Sequence, residues 1–147
     1  MQIGIAADHG GFDLKEKIKA WLTLAGHEVK DFGAYAYEST DDYPDLVVPL
    51  AKAVGSGVLS KGIAVCGSGV GASIAANKIK GVQAALITEA YSASQGVEHD
   101  NMNILCLGGR VIGEELAKVL VMAFVHAKFT GEERHLRRLN KVKALEE

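Results

Sequence analysis

Five short strand-like runs, separated by segments with helical periodicity, leave this chain of 147 residues little choice of architecture. The runs are IGIAA (3–7), HEVKDF (27–32), GIAVC (62–66), VQAALIT (82–88) and NILCLGG (103–109). Four are nearly unbroken apolar stretches, which predicts strands covered on both faces. Between them, Leu14, Ile18, Trp21, Leu22 and Ala25 fall at helical spacing, as do Leu116, Val119, Leu120, Ala123, Phe124 and Ala127. Strands alternating with helices predict βαβ units and a parallel sheet. Gly26, Gly33, Gly57 and Gly81 punctuate the joints, where helix ends and turns favour glycine. No linker, repeat or low-complexity tract divides the chain, so one domain over 1–147 is expected. After the last long helix, Thr130-Gly131 breaks the pattern and GEERHLRRLNKVKALEE resumes as a charged helix. Too polar for core, it suits a surface or a partner chain.

Charge narrows the partners. A net charge of −2 and a pI near 6.2 leave no global basic field for nucleic acid or anionic membrane, so anion binding must be local. No apolar run approaches the ~18 residues of a membrane span, and Met1 leads straight into a strand pattern, so a cytoplasmic protein is expected. Cys66 and Cys106 sit in apolar segments without CxxC spacing or clustered histidines. That argues against a disulfide framework and against structural zinc.

In an open parallel sheet, ligands bind beyond the carboxyl ends of the strands. There the sequence places Asp8-His9-Gly10-Gly11, Cys66-Gly67-Ser68-Gly69, Thr88-Glu89 and Gly108-Gly109-Arg110. The loop in AVCGSGVGAS (64–73) follows the third strand and opens a helix, so its amides can meet an anion or a developing oxyanion. A plain turn needs one glycine, and this loop has three, at 67, 69 and 71. The same residues also read G-x-G-x-x-A from Gly67 to Ala72, with Glu89 about twenty residues on, as in a dinucleotide site. That motif normally follows the first strand of its unit, however, and here it follows the third with Cys66 at its mouth.

Cys66, beside the loop, is the candidate nucleophile or base, whereas Cys106 reads as a small core residue. His9 is a candidate for anion contact and His99 for proton transfer; His27, His126 and His135 read as structural. Asp8 either binds a hydroxyl or caps the first helix, and spacing leaves both open. Arg134 and Arg138, four apart, would share a helix face and could grip a phosphate, with Arg137 near enough to substitute; a solvated charged face is the plainer alternative. Glu132, Glu133, Glu146 and Glu147 flank this basic run and weaken a nucleic-acid reading.

Taken together, DHGG after the first strand, TDDYPD (40–45), CGSGVGASIAANK (66–78), HDNMNILCLGGRVIG (99–113) and the arginines of GEERHLRR resemble the type B ribose-5-phosphate isomerases, a family that includes the galactose-6-phosphate isomerase subunits. The likeness runs nearly the whole length. It implies a Rossmann-like α/β/α sandwich with five parallel strands and an extra C-terminal helix. It also implies a homodimer or dimer of dimers with sites between subunits, and aldose–ketose interconversion of a sugar phosphate through an enediol(ate), without metal or organic cofactor. Carried over, Cys66 is the base between C1 and C2, and His99, from the partner subunit, assists ring opening. Gly67, Ser68, Gly69, Val70 and Gly71 stabilise the enediolate oxygen, Asp8 and His9 hold the sugar, and Arg110, Arg134 and Arg138 serve the phosphate. Some members use a glutamate nine residues after the cysteine; Ala75 stands there, which leaves Cys66 as the base on offer.

Two departures stand out. Ser68 replaces the family's usual threonine and keeps the hydroxyl. The family's His-Asn-Asp is here His99-Asp100-Asn101, which puts a carboxylate, unable to donate while ionised and repelled by phosphate, among the substrate-binding positions. A different sugar, a hexose 6-phosphate or an unphosphorylated one, is the alternative substrate that this raises; a dinucleotide-binding domain and an inactive binding protein are the alternative classes.

Overall fold

The computed structural model describes residues 1–146. In chain order the elements are β1 (Gln2–Ala7), α1 (Phe12–Leu24), β2 (Glu28–Asp31), α2 (Tyr43–Gly55), β3 (Lys61–Cys66), α3 (Val70–Ala76), β4 (Ala84–Leu86), α4 (Ala90–Asp100), β5 (Ile104–Gly108), α5 (Glu114–His126) and α6 (Glu133–Lys143). All strand pairs are parallel, in the order β2-β1-β3-β5-β4. The chain leaves β1 in one direction to make β2, then crosses back to β3. The crevice of this sheet therefore opens between the ends of β1 and β3.

Helices cover both faces. On one face Leu14, Ile18 and Leu22 of α1, Ala93 and Val97 of α4, and Leu120 and Phe124 of α5 meet Ile5, Ile63 and Leu105. On the other, Val47, Leu50 and Val54 of α2 and Ala72 and Ala76 of α3 meet Ala64, Ile104 and Cys106. The result is the expected three-layer α/β/α sandwich with five parallel strands, and α6 is the extra helix, packed on α4. Every residue of β3 is buried.

Several local expectations shift. The run 82–88 forms strand only over Ala84–Leu86, and its residues are half-buried because β4 is an edge strand. Ala25 is the exposed C-cap of α1 rather than part of its core face. On α5 the stripe against the sheet is Ala117, Leu120, Val121, Phe124 and Val125, while Leu116 and Val119 face outward. Periodicity alone placed that stripe one position around the helix, since both flanks are apolar. Two residues of the polar α6, His135 and Leu139, are buried.

Lys15 is fully buried on α1, with its ammonium 2.8 and 2.9 Å from the Asp31 carboxylate and 3.0 Å from Glu16. Lys19 reaches the same carboxylate at 2.7 Å, and the Gly33 N–H donates to it at 2.8 Å. Beyond this anchor the strand pairing continues into the loop, with Ala7 N–H donating to Gly33 O and Ala34 N–H to Ala7 O. The network thus ties the end of β2 to the end of β1, directly under Asp8. Burial pushes the Asp31 carboxyl up, but the two ammonium groups and the Gly33 amide outweigh it and hold it below the ordinary carboxylate range.

A carboxyl lowered in this way stabilises the fold above its unfolded pKa, and the contribution fades as pH falls through the folded value. Asp31→Asn leaves the buried ammonium with Glu16 as its anionic partner, and a loss of about 3 kcal/mol is expected at pH 7. Urea unfolding checks it: the native chain loses more stability than the variant between about pH 5 and pH 2, where the carboxyl protonates.

Candidate active site

The loops that leave β1, β3 and β5 meet backbone to backbone. A Cβ on Gly109 would lie 2.6 Å from Gly10 O, and one on Gly10 would lie 2.8 Å from Gly67 N. Gly109 N–H donates to Cys66 O at 2.8 Å and Arg110 N–H to Gly67 O at 3.0 Å, which hangs the Arg110 side chain over the glycine loop. Gly69 has φ +84°, and a Cβ there would lie 2.9 Å from the Leu107 carbonyl carbon. A Cβ on Gly71 would enter the Tyr43 ring at 2.6 Å. So two of the loop's glycines admit neighbouring protein, a tyrosine ring and a strand, and Gly67 is the one whose open side faces Arg110.

Cys66, the last residue of β3, is 5% exposed, and its Sγ accepts the Gly69 N–H at 3.1 Å. It lines a cavity of about 420 Å³ with Asp8, Tyr43, Gly67, Ser68, Gly71, Arg110 and Val111. Six of the expected site residues thus converge within one chain. Asp8 is buried, with Oδ1 accepting the Gly10 N–H at 2.9 Å; α1 begins at Phe12 without a side-chain cap, so the capping alternative falls. Gly69 and Val70 belong to the loop but not to the cavity lining, and their amides turn onto the Cys66 sulfur and onto Ser68 Oγ. Cys106 lies in the next strand, wholly buried, and burial with Cys66 nearby pushes its thiol up to about 12.

The remaining expected residues stand elsewhere. His99, on the last turn of α4, stacks on His135 with ring centroids 3.9 Å apart, and its Nδ1 is 3.0 Å from Gln95 Nε2. Arg134 Nε–H donates to His135 Nε2 at 3.3 Å, and its guanidinium is 3.2 Å from Glu132. Burial, helped by His99 and Arg134, pushes His135 below the ordinary histidine range. Arg138 is exposed and has no ion pair among the described residues. Arg137 is held by Glu133 at 2.7 Å, so it is no ready substitute. Asp100 ends α4 beside a smaller cavity with Gln83, Ser92 and Gln95, away from the Cys66 cavity of its own chain. Asn101 takes the left-handed C-cap at φ 54°, a conformation asparagine tolerates better than most residues.

His9 lies next to the cavity, and Asp41 accepts both its backbone N–H, at 3.0 Å, and its Nδ1, at 2.7 Å. Donor atoms of Asp8, His9 and Asp41 fall within 4.8 Å of one another. That trio has the composition of a cation site, but as arranged it is a hydrogen-bond network with His9 Nδ1 donating to Asp41. Glu89, the acidic partner in the dinucleotide reading, caps α4 instead by accepting the Ser92 N–H at 2.9 Å. A larger groove of about 860 Å³ lies between 77–84 and the C-terminal residues Val142, Leu145 and Glu146, and neither cysteine nor histidine lines it.

Sequence reasoning gave no role to Tyr43, Asp41 or Gln95. Tyr43-Pro44 had one local signal, since proline at the first turn marks a helix start. Asp41 falls in the TDDYPD segment, but nothing there points to His9, 32 positions away.

A family model described as Ribose/Galactose Isomerase matches residues 3–142. The chain belongs to the ribose/galactose isomerase family. It is 43% identical over 146 residues to ribose-5-phosphate isomerase B of Escherichia coli, covering 99% of this chain and 97% of that one. The structure of Clostridium thermocellum ribose-5-phosphate isomerase B superposes with a TM-score of 0.95 at 46% identity, over 99% of this chain and 97% of the other. That of Mycoplasma genitalium ribose-5-phosphate isomerase B, with bound ribulose-5-phosphate, gives 0.92 at 39% identity over 97% and 94%. Membership of this isomerase family, with Glu89 already bound locally, sets the dinucleotide reading aside.

The two cysteines are expected to react differently. Brief treatment of the folded protein with iodoacetamide followed by peptide mass spectrometry should find Cys66 carboxamidomethylated and Cys106 untouched; equal labelling would contradict the cavity described here.

Proposed function

We propose that this chain, acting as one isomerase domain in a cytoplasmic homodimer or dimer of dimers, interconverts ribose 5-phosphate and ribulose 5-phosphate, with each site shared between two subunits. The observation that carries the reading is a division. Cys66, Asp8, Ser68, the glycine loop and Arg110 gather at one rim of the sheet, whereas His99, Arg134 and Arg138 gather at α4 and α6 and line no part of that cavity. A site needing all of them closes when the α4–α6 group of one copy faces the rim of another. The ligand in the Mycoplasma genitalium relative supports the choice of sugar phosphate.

The chemistry rests on this placement. His99 moves the proton from the O1 hydroxyl to the ring oxygen, which opens the sugar to the aldehyde. The Cys66 thiolate then takes the C2 proton, and the electron pair of that C–H bond becomes the C1–C2 double bond while the carbonyl pair moves onto O1. Donors of the glycine loop and Ser68 meet the enediolate charge. The proton returns to C1 as the O2 proton departs to O1, leaving the ketose. Asp8 and His9 hold hydroxyls, and Arg110, Arg134 and Arg138 hold the phosphate, for which paired guanidiniums are suited.

Two measurements test this. A panel of tetroses, pentoses and hexoses, with and without phosphate, should show ribose 5-phosphate converted fastest; an unphosphorylated sugar or a hexose phosphate turned over faster would overturn the substrate. Cys66→Ala and His99→Asn, each inactive alone, should regain roughly a quarter of native activity when co-expressed as a mixed dimer, because half the dimers are hybrid and each hybrid carries one intact site. A mixture that stays inactive places both residues in one subunit's site.

A further inference from the structure

Lys61 opens β3, and its side chain is buried beneath the end of α5. Its ammonium donates to Phe124 O at 2.6 Å, Ala127 O at 2.7 Å and Val125 O at 3.1 Å. The last carbonyls of a helix lack intrahelical partners, and they carry the negative end of its dipole. Lys61 therefore satisfies three acceptors at the point where the chain stops being helical: Ala127 is the C-cap, with extended backbone at ψ 151°. Burial, with Lys128 nearby, lowers its pKa to about 8, a cost that three charge-assisted hydrogen bonds and the helix end offset.

A short connection runs from Ala127 to α6. Thr130 N–H donates to Glu98 O of α4 at 3.0 Å, and Glu132 N–H to Thr130 Oγ1 at 3.2 Å. Then α6 begins, carrying Arg134, His135 and Arg138, with His135 stacked on His99. Apart from Leu139 and His135, α6 buries little, so the start of the connection helps to place it alongside its packing on α4. Lys61 fixes that start from the rigid centre of the sheet. The other end of the same strand, roughly 17 Å away at about 3.3 Å per residue, is Cys66.

We propose that Lys61 is a positioning residue for the α6 half of the site: by gripping the end of α5 it sets where Arg134 and Arg138 stand on their own protomer, and so how they meet the rim of the partner subunit. Its functional consequence rests on the reading that these arginines hold the substrate phosphate; its structural content does not. Lys61 touches no part of the Cys66 cavity.

The test uses Lys61→Met in the full chain, with Lys61→Arg as the conservative variant and Arg134→Ala as the reference. In Lys61→Met, amides of 127–143 should exchange about tenfold faster by hydrogen-exchange mass spectrometry while β3 and β5 keep their protection. KM for ribose 5-phosphate should rise about tenfold with kcat within about twofold of native, and Lys61→Arg should recover most of both. If Lys61→Met does not fold, Lys61→Gln, which keeps an amide donor without the charge, takes its place. Unchanged exchange over 127–143, or an equal rise throughout the sheet, overturns the proposal. So does selective loosening of 127–143 with KM unmoved when Arg134→Ala raises KM. If Arg134→Ala leaves KM unmoved, the phosphate reading of α6 is what fails, and selective exchange still supports Lys61 as the anchor.

Discussion

The contact on which the rest depends is the one between Gly109 and the carbonyl of Gly10, where the loops leaving β5 and β1 touch without an intervening side chain. With the loop of β3 held against both, three strand ends converge on one cavity. A Cβ on Gly109 or Gly10 would meet backbone at 2.6 or 2.8 Å, closer than van der Waals contact allows, so the loops would have to part. Asp8, Cys66 and Arg110 face the same space because the backbone behind them is bare. The glycines that resemble an anion cradle are therefore first a packing device, and Gly69 adds the amide that holds the sulfur.

Around this junction the protein uses buried cations as fixed points. Lys15 gathers Asp31 and Glu16 and pins the end of β2 beside Asp8; Lys61 gathers the carbonyls that end α5. Each ammonium is enclosed with its donors occupied, the condition under which burying a charge is tolerated. They act on opposite ends of the sheet. One supports the loop region around His9, and the other supports the connection that leads to the arginines of α6. β3 runs between these two regions with every residue buried, and carries Lys61 at one end and Cys66 at the other.

Much of this was legible in the residues. Near-unbroken apolar runs such as 62–66 and 103–109 announced a parallel sheet, and the polar residues at strand ends named the rim that became the cavity. What escaped was of two kinds. The α5 stripe was misplaced because apolar residues flank it on both sides, so burial was decided by how the helix sits on the sheet. Asp41 and Lys61 act through partners far away in the chain, whereas Gln95 meets His99 at the i,i+4 spacing of one helix; Lys61 meets carbonyls 63 to 66 residues away, and backbone carbonyls leave no mark in a sequence. The division of the site residues into two groups was likewise invisible to spacing, and only the family resemblance suggested it.

The central claim is that the Cys66 sulfur carries the proton between neighbouring sugar carbons. Incubating ribose 5-phosphate in D2O with the native protein, Cys106→Ala and Cys66→Ala, and following the C2 proton signal by NMR, tests it most directly. Deuterium should enter with the first two and not with Cys66→Ala, which should still bind the sugar phosphate; exchange by Cys66→Ala at the native rate would contradict the account.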